Sequence, residues 1–438
     1  MLYNIVDFGA KADGSLCTKQ IQKAIDDCFL AGGGEVVIPS GRFLVGGLRL
    51  RSNVTLHLLE GATLAGSTNP EDYFAYLDDE IEPISMQERE ETVSTALPEA
   101  YGKRSVIPYS SWNNAIIRAI RAKNIAIIGE KNSFIDGQNC YDPTGEEDYR
   151  GPHAINMWYC ENVTFSGYTI IDSGNWAHAI QNSRNIHAKA ITVLGGHDGF
   201  DVRTCDDVVV EDCVFRTGDD SIAGFDNINV VVRNSVLNSS CSALRFGGTD
   251  VLVENCTSES PNTYGFRGHL SADKKKARAK TDESCRHDSV TAFLYYCDFR
   301  ADIRKTPGNI LVRNCRFKNN YAVFSQPNGH IWSCNKALDN IMFENCVFDG
   351  VSLPINIKCP EDEPLTFKMK DCKISAREGA GDKAVVDASN FRDIIFENVD
   401  LSGYDNPHAC LDESLVQLEV IKKDGLDNCT TEIKHNEL

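Results

Sequence analysis

Apolar and polar residues alternate along this chain in short runs, and the runs recur. They read Asn162-Val-Thr-Phe, Asn185-Ile-His-Ala, Asp207-Val-Val-Val-Glu-Asp-Cys213 and Asn229-Val-Val-Val-Arg-Asn-Ser235. Further copies are Asp250-Val-Leu-Val-Glu-Asn-Cys256, Asn309-Ile-Leu-Val-Arg-Asn-Cys315, Asn340-Ile-Met-Phe-Glu-Asn-Cys346 and Asp393-Ile-Ile-Phe-Glu-Asn-Val399. Each run opens on Asn or Asp and then alternates, as a strand with one buried face does. From Asn185 to Asp250 the successive starts lie 22, 22 and 21 residues apart. A strand that returns at this interval, with no helical sequence between, pairs in parallel with its own copy one turn later. Each coil then buries its face against the next. A propeller blade would need about 40 residues per unit. The pattern predicts an all-β fold, a right-handed parallel β-helix that runs as a single domain through residues 1–438.

A solenoid has raw strand edges at its ends, which must be covered. Thr18 to Leu30 reads as an amphipathic helix with Ile21, Ala24, Ile25 and Cys28 on one face, Thr18 as its cap and Gly32-Gly33-Gly34 as its stop. This capping helix (18–30) is expected to plug the N-terminal opening. Two stretches break the period, 70–112 and 271–305, and are expected as inserted loops that wall a binding site. Beyond Asp405 the periodicity fades into a polar tail, 405–438, that covers or trails from the other end.

Charge narrows the partners. Lys and Arg total 44 against 63 Asp and Glu, a net charge of −19, which argues against nucleic acid or an anionic membrane surface. No 18-residue apolar run is present to span a membrane. Of the 17 cysteines, Cys213, Cys256, Cys315, Cys346 and Cys372 hold the same place in successive runs, so a ladder of small buried thiols is expected rather than disulfides. No CxxC pair suggests a metal site. Abundant thiols, their odd number and the lack of a signal-like opening favour a cytoplasmic protein, or a secreted one if a leader has been removed. Oligomeric state is not legible.

The candidate chemistry sits at Gly196-His197-Asp198-Gly199 and Gly218-Asp219-Asp220. Asp198 and Asp219 are 21 residues apart, close to one coil. Parallel strands lie about 4.8 Å apart, so equivalent positions on successive coils project side by side. Asp198 and Asp219 are therefore expected as neighbours, with Asp220 a third carboxylate at that level. Packed like charges cannot all ionise readily, so one group keeps a proton near neutral pH. That group can protonate a leaving glycosidic oxygen while an ionised one deprotonates water. Acid and base stand roughly 6.5–9.5 Å apart in inverting enzymes and about 5 Å in retaining ones, a choice that strand spacing alone does not make.

Over most of residues 4–400 the chain resembles glycoside hydrolase family 28, the polygalacturonase family. Val6-Asp-Phe-Gly-Ala-Lys-Ala-Asp-Gly14, Gly32-Gly-Gly-Glu-Val-Val-Ile-Pro39 and Gly61-Ala-Thr-Leu64 are shared widely among pectin-active β-helices. Ile135-Asp-Gly-Gln138, Ser173-Gly-Asn-Trp176 and the carboxylate pair of motifs narrow the resemblance. It implies inverting hydrolysis without metal or other cofactor, with Asp219 as the acid and Asp198 and Asp220 activating water.

Two departures bear on the substrate. Where the family has Ser-Gly-His-Gly, this chain has Asn238-Ser-Ser-Cys-Ser-Ala-Leu-Arg-Phe-Gly247, with Ser242 or Cys241 in the histidine's place. Where it has Arg-Ile-Lys, binding the galacturonate carboxylate, this chain has Arg267 and then His269 for the lysine. His197 is a candidate replacement for the missing histidine. The run Lys274-Lys-Lys-Ala-Arg-Ala-Lys280 either draws an anionic sugar towards Arg267 or is simply solvated.

The resulting expectation is an exo-acting, galacturonosidase-like glycosidase for pectin-derived, uronic-acid-containing oligosaccharides. Three alternatives stand beside it: the same chemistry on a rhamnogalacturonan or neutral glycoside, a Ca²⁺-dependent polysaccharide lyase, and a non-catalytic carbohydrate-binding β-helix.

Overall fold

The Asn and Asp residues that open six of the repeated runs are corner residues. Asn162, Asn185, Asp207, Asn229, Asp250 and Asn309 all adopt φ between 53° and 59°. Asn and Asp tolerate this left-handed region better than other side chains. At the corner their amides also stack between coils: Asn162 Nδ2 donates to Asn124 Oδ1 (2.7 Å) and Asn185 Nδ2 to Asn162 Oδ1 (2.6 Å). The computed structural model describes residues 1–73, 114–297, 303–328, 334, 336–360 and 364–405, and the backbone of strands Leu418–Lys422 and Cys429–Lys434. Most of the 70–112 insertion and of the 405–438 tail therefore lies outside the described residues.

The fold is a right-handed parallel β-helix, and the chain divides into two compact units. The first comprises Met1–Asp219 and Tyr264–Arg286; the second comprises Asp220–Thr263 and His287–Leu438.

In the first unit each coil carries three strands, as in His153–Trp158, Glu161–Ser166 and Thr169–Ile171. All three columns advance by one common step. Ile155 pairs with His178, Val163 with Ile186 and Thr169 with Thr192. One coil later His178 pairs with Phe200, Ile186 with Val208 and Thr192 with Val214, again in step with one another. The helix Thr18–Leu30 buries Ile21, Ala24, Ile25 and Cys28, the expected face. Thr18 is not its cap. Cys17 holds that position without a side-chain bond, and the Thr18 hydroxyl accepts the Gly46 N–H instead (2.8 Å).

In the second unit the coils grow. Phe293 pairs with Phe324, Ile310 with Ile341 and Arg316 with Val347, a longer interval that is equal in every column. Ile341 then pairs with Phe367 after a shorter one. Strand Thr291–Tyr295 pairs Thr291 with Ser242 and Phe293 with Leu244, so the repeat resumes inside the stretch expected to be loop to residue 305. Phe293, Phe324, Phe343, Phe348 and Phe367 form a contiguous aromatic core, with centroids 5.3–6.5 Å apart. The thiol column is buried, Cys315 Sγ accepting the Cys256 N–H and Cys372 Sγ the Cys346 N–H, both at 3.4 Å. No cysteine among the described residues is in a disulfide. At the C-terminal side Cys429–Lys434 pairs antiparallel with Asp393–Glu397, so part of the 405–438 tail adds strands at this edge. Among the described residues no helix is long and apolar enough to cross a membrane.

Candidate active site

The register of the third strand column orders the carboxylate motifs. Gly195 pairs with Thr217, and the Gly218 N–H donates to Gly195 O (2.8 Å). The strand register ends at this pair, so it does not itself match His197 or Asp198 to Asp219. Asp198 is buried, and its carbonyl accepts the Ala177 N–H (2.8 Å).

His197 is neutral. Burial holds its pKa well below the usual histidine value, and the nearby Arg150, Arg267 and Lys275 add to the effect. Arg267 Nη1 lies 3.1 Å from His197 Nε2. A guanidinium only donates, so Nε2 accepts and the ring proton resides on Nδ1. That Nδ1, and the Nε of Arg267, are buried without a hydrogen-bond partner among the described residues. Arg267 itself is 1% exposed, and desolvation brings its pKa down to about 10. It reaches this place because residue 196 is glycine: a Cβ there would lie 2.2 Å from Arg267 Cγ.

The short segment Glu146–Arg150, which sequence reasoning did not single out, supplies the other charges. It is folded tightly. Arg150 N–H donates to Glu146 O (3.0 Å), and a Cβ on Gly145 would sit 1.9 Å from Arg150 O. Glu147 and Asp148 both hold left-handed φ, 53° and 60°, conformations that cost energy in non-glycine residues and cluster at functional sites. Arg150 is buried and shared. Its Nε and Nη2 donate to Glu147 (3.1 and 3.2 Å), Nη1 meets Asn175 Oδ1 (3.4 Å), and Nη2 meets Asp219 Oδ2 (3.4 Å). Asn175 in turn donates from Nδ2 to Glu146 Oε2 (3.0 Å). Burial pushes the Glu146 carboxyl up to about 7. Glu147, held by Arg150 at short range, goes down despite its own desolvation.

The basic run after Ser271 is only partly solvated. Lys275 Nζ stands 4.1 Å from the Tyr149 ring centroid and bonds Gly268 O (2.9 Å), and Lys280 pairs with Asp172. Arg278 reaches Gln138 O (3.5 Å), whereas Lys274 pairs with Asp282 at the surface. His269, expected in the family's lysine position, is exposed and set edge-on against Phe266 at 5.0 Å. Lys275, from further along the strap, is the cation that approaches the Tyr149 and Arg267 surroundings; Arg267 lies 6.0 Å from the same ring.

In the second unit Asp220 and Ser242 are both buried. Asp220 Oδ1 accepts the Ser242 backbone N–H (3.0 Å), and its Oδ2 is paired with Arg245, whose guanidinium lies 4.9 Å from the Tyr296 ring. Ser242 therefore meets a candidate carboxylate through its main chain. Arg245 is a second cation that sequence reasoning passed over, although it stands within the Asn238–Gly247 stretch.

Comparison with known proteins places these motifs. The model of glycosyl hydrolases family 28 matches residues 34–243, which include Asp198, Asp219 and Asp220. A "Probable polygalacturonase" of Vitis vinifera is 28% identical over 233 residues, 50% of this chain and 43% of the relative. An "Exo-poly-alpha-D-galacturonosidase" of Dickeya chrysanthemi is 28% identical over 249 residues, 50% of this chain and 41% of the relative. The match thus spans less than half the length of these curated relatives. A hyperthermoactive exopolygalacturonase from Thermotoga maritima shares the fold, with a TM-score of 0.65 at 19% identity over 92% of both chains.

Proposed function

We infer that this chain, whose residues 34–243 match the model of glycosyl hydrolases family 28, is a glycosidase that hydrolyses galacturonan-derived oligosaccharides. The observation that carries the uronate part is Arg267. Among the described residues its side chain bonds a neutral imidazole and no carboxylate, and a guanidinium buried in this way is costly unless an anion completes the site. A sugar carboxylate does so with two parallel hydrogen bonds. Lys275, over the Tyr149 ring, adds positive charge where the family's lysine is replaced by His269.

The chemistry needs a proton donor at the leaving glycosidic oxygen and an ionised carboxylate that orients water on the opposite face. In the reading we favour, Asp219 donates and Asp198 and Asp220 activate the water, with inversion. His197 accepts from Arg267 at Nε2 and so orients the guanidinium towards the sugar carboxylate. Exo-action is supported by the strap 271–280, which lies along Gln138, Tyr149 and Asp172 of the first unit and walls that side.

The test is product analysis on oligogalacturonides beside rhamnogalacturonan fragments and neutral oligosaccharides, with EDTA and Asp219→Asn controls. Release of saturated galacturonic acid from one chain end, insensitive to EDTA and abolished in Asp219→Asn, is the expected result. Unsaturated, EDTA-sensitive products would assign a lyase. Cleavage confined to non-uronate glycans would remove Arg267 and Lys275 from carboxylate recognition. No cleavage of any member, with binding retained, would leave a carbohydrate-binding protein.

A further inference from the structure

Large hydrophobic side chains stand exposed at seven places among the described residues, and six of them fall in the first thirty residues. They are Met1, Leu2, Val6, Leu16, Phe29 and Leu30, with exposures from 38% at Phe29 to 83% at Met1. Leu2 belongs to the first strand, Leu2–Asn4, and Val6 to the helical turn Ile5–Phe8. Phe29 and Leu30 end the capping helix, and Leu16 lies just ahead of it. These elements adjoin. The Glu35 N–H donates to Met1 O (2.9 Å) just past the glycines that follow the helix, and the Phe8 ring lies 6.0 Å from Lys23 Nζ on the helix itself. Strand Leu2–Asn4 pairs in parallel with Gly34–Ile38 on one edge and with no described strand on the other. We propose that this end of the first unit is an interaction surface for a second copy of the chain, the two first strands meeting edge to edge about a twofold axis.

Charge, area and backbone select a second copy as the occupant. The chain carries a net −19, yet residues 1–30 hold Asp7, Asp13, Asp26 and Asp27 against Lys11, Lys19 and Lys23. Two of these acids are already paired, Asp27 with Lys23 (2.8 Å) and Asp26 with Arg51 (3.0 Å). Two copies of an acidic chain repel, and an end this near neutrality opposes their contact least. An anionic polymer, by contrast, finds no surplus of cations here. A large side chain with half its surface exposed leaves on the order of 100 Å² open, so the six offer roughly 600 Å² of apolar surface, against the ~800 Å² that each partner gives a standard interface. Strand backbone and the polar rim supply the remainder. An apolar patch of this size lies at the upper end of what a monomer leaves bare. An open strand edge presents N–H and C=O groups to a further strand, and an identical edge running antiparallel, as twofold symmetry requires, accepts them. Such pairing uses the same surface on both copies and therefore stops at two.

The test is the mass of the full chain in solution, by light scattering across the micromolar range, in wild type and in Leu2→Lys/Leu30→Lys. Both positions are exposed, and lysine suits both an edge strand and the last turn of a helix, so the variant should keep the wild-type circular dichroism spectrum. The expected result is a wild-type mass of two chains, with a dimer dissociation constant raised about tenfold or more in the variant. A single-chain mass throughout overturns the proposal, and so does a dimer that the two lysines leave intact. A mass that climbs beyond two chains overturns the twofold closure. Hydrogen exchange needs no variant. The amides of Leu2–Asn4 should exchange more slowly as the wild-type protein is concentrated. Exchange there that ignores concentration while a dimer forms places the contact elsewhere and defeats the proposal. Neither outcome depends on which glycan the protein cleaves.

Discussion

At the scale of single residues, Arg150 and Arg267 differ in what surrounds them. Arg150 is saturated by carboxylates and Asn175, whereas Arg267 rests on a neutral imidazole. Removing Arg150 leaves Asn175 and the part-exposed carboxylates Glu147 and Asp219 without their donor, and a loss of this kind costs about 1–3 kcal/mol. Arg150→Ala should accordingly lower the stability measured by urea unfolding by that amount, and Arg150→Lys by less. Arg267→Met should be tolerated far better, because no carboxylate among the described residues loses a hydrogen-bond partner. It should raise KM for a uronate oligosaccharide with little change in kcat, since uniform binding is what it removes. A fall in kcat with unchanged KM would place Arg267 with the reacting groups instead. Asp198, Asp219 and Asp220 were legible because they fall in recurring motifs. Glu146 and Arg150 were not, because they lie in an irregular segment with no repeat to align it.

At the scale of elements, the corners and the capping helix hold the coils. Asn185 sits at φ 55° and donates to Asn162. An alanine there must adopt the left-handed region and forgo the bond, a loss of about 1–2 kcal/mol. Asn185→Gly keeps the backbone and should lose less, which thermal unfolding of the two variants would show. Ile25 on the helix Thr18–Leu30 is fully buried, so Ile25→Ala should cost about 2–5 kcal/mol in the same assay. The helix, its buried face and the strand phase were readable because each is a local period. Its N-terminus was misassigned because the Thr18 hydroxyl is taken by Gly46, 28 residues away, a partner that no local signal names.

At the scale of the whole molecule, pH tests the buried histidines. Burial keeps His153 down to about 3 and His178 to about 4, and His197 well below its ordinary value. The unfolded chain, with histidine near 6.5, takes up protons that the folded chain refuses, so these groups withdraw stability as pH falls below about 6.5. Glu146 acts with the opposite sign. Its folded value near 7 lies above the unfolded carboxyl value, so it contributes stability at acid pH that is lost as pH rises through 7. Three histidines outweigh one glutamate, and Tm should fall between pH 7 and pH 5; a flat or rising Tm would show that the imidazoles are protonated in the folded state. The sequence by itself determined the parallel β-helix, because strand phase and coil length are written into every repeat, and it determined which carboxylates share a motif. Tertiary structure alone decided that Arg267 bonds His197, that Lys275 rather than His269 approaches Tyr149, and that Arg150 joins Glu147 to Asp219. The physical reason is separation along the chain. Arg150 and Asp219 are 69 residues apart and His197 and Arg267 are 70 apart, and such pairs meet only when irregular segments fold back over coils whose own pattern is silent about them.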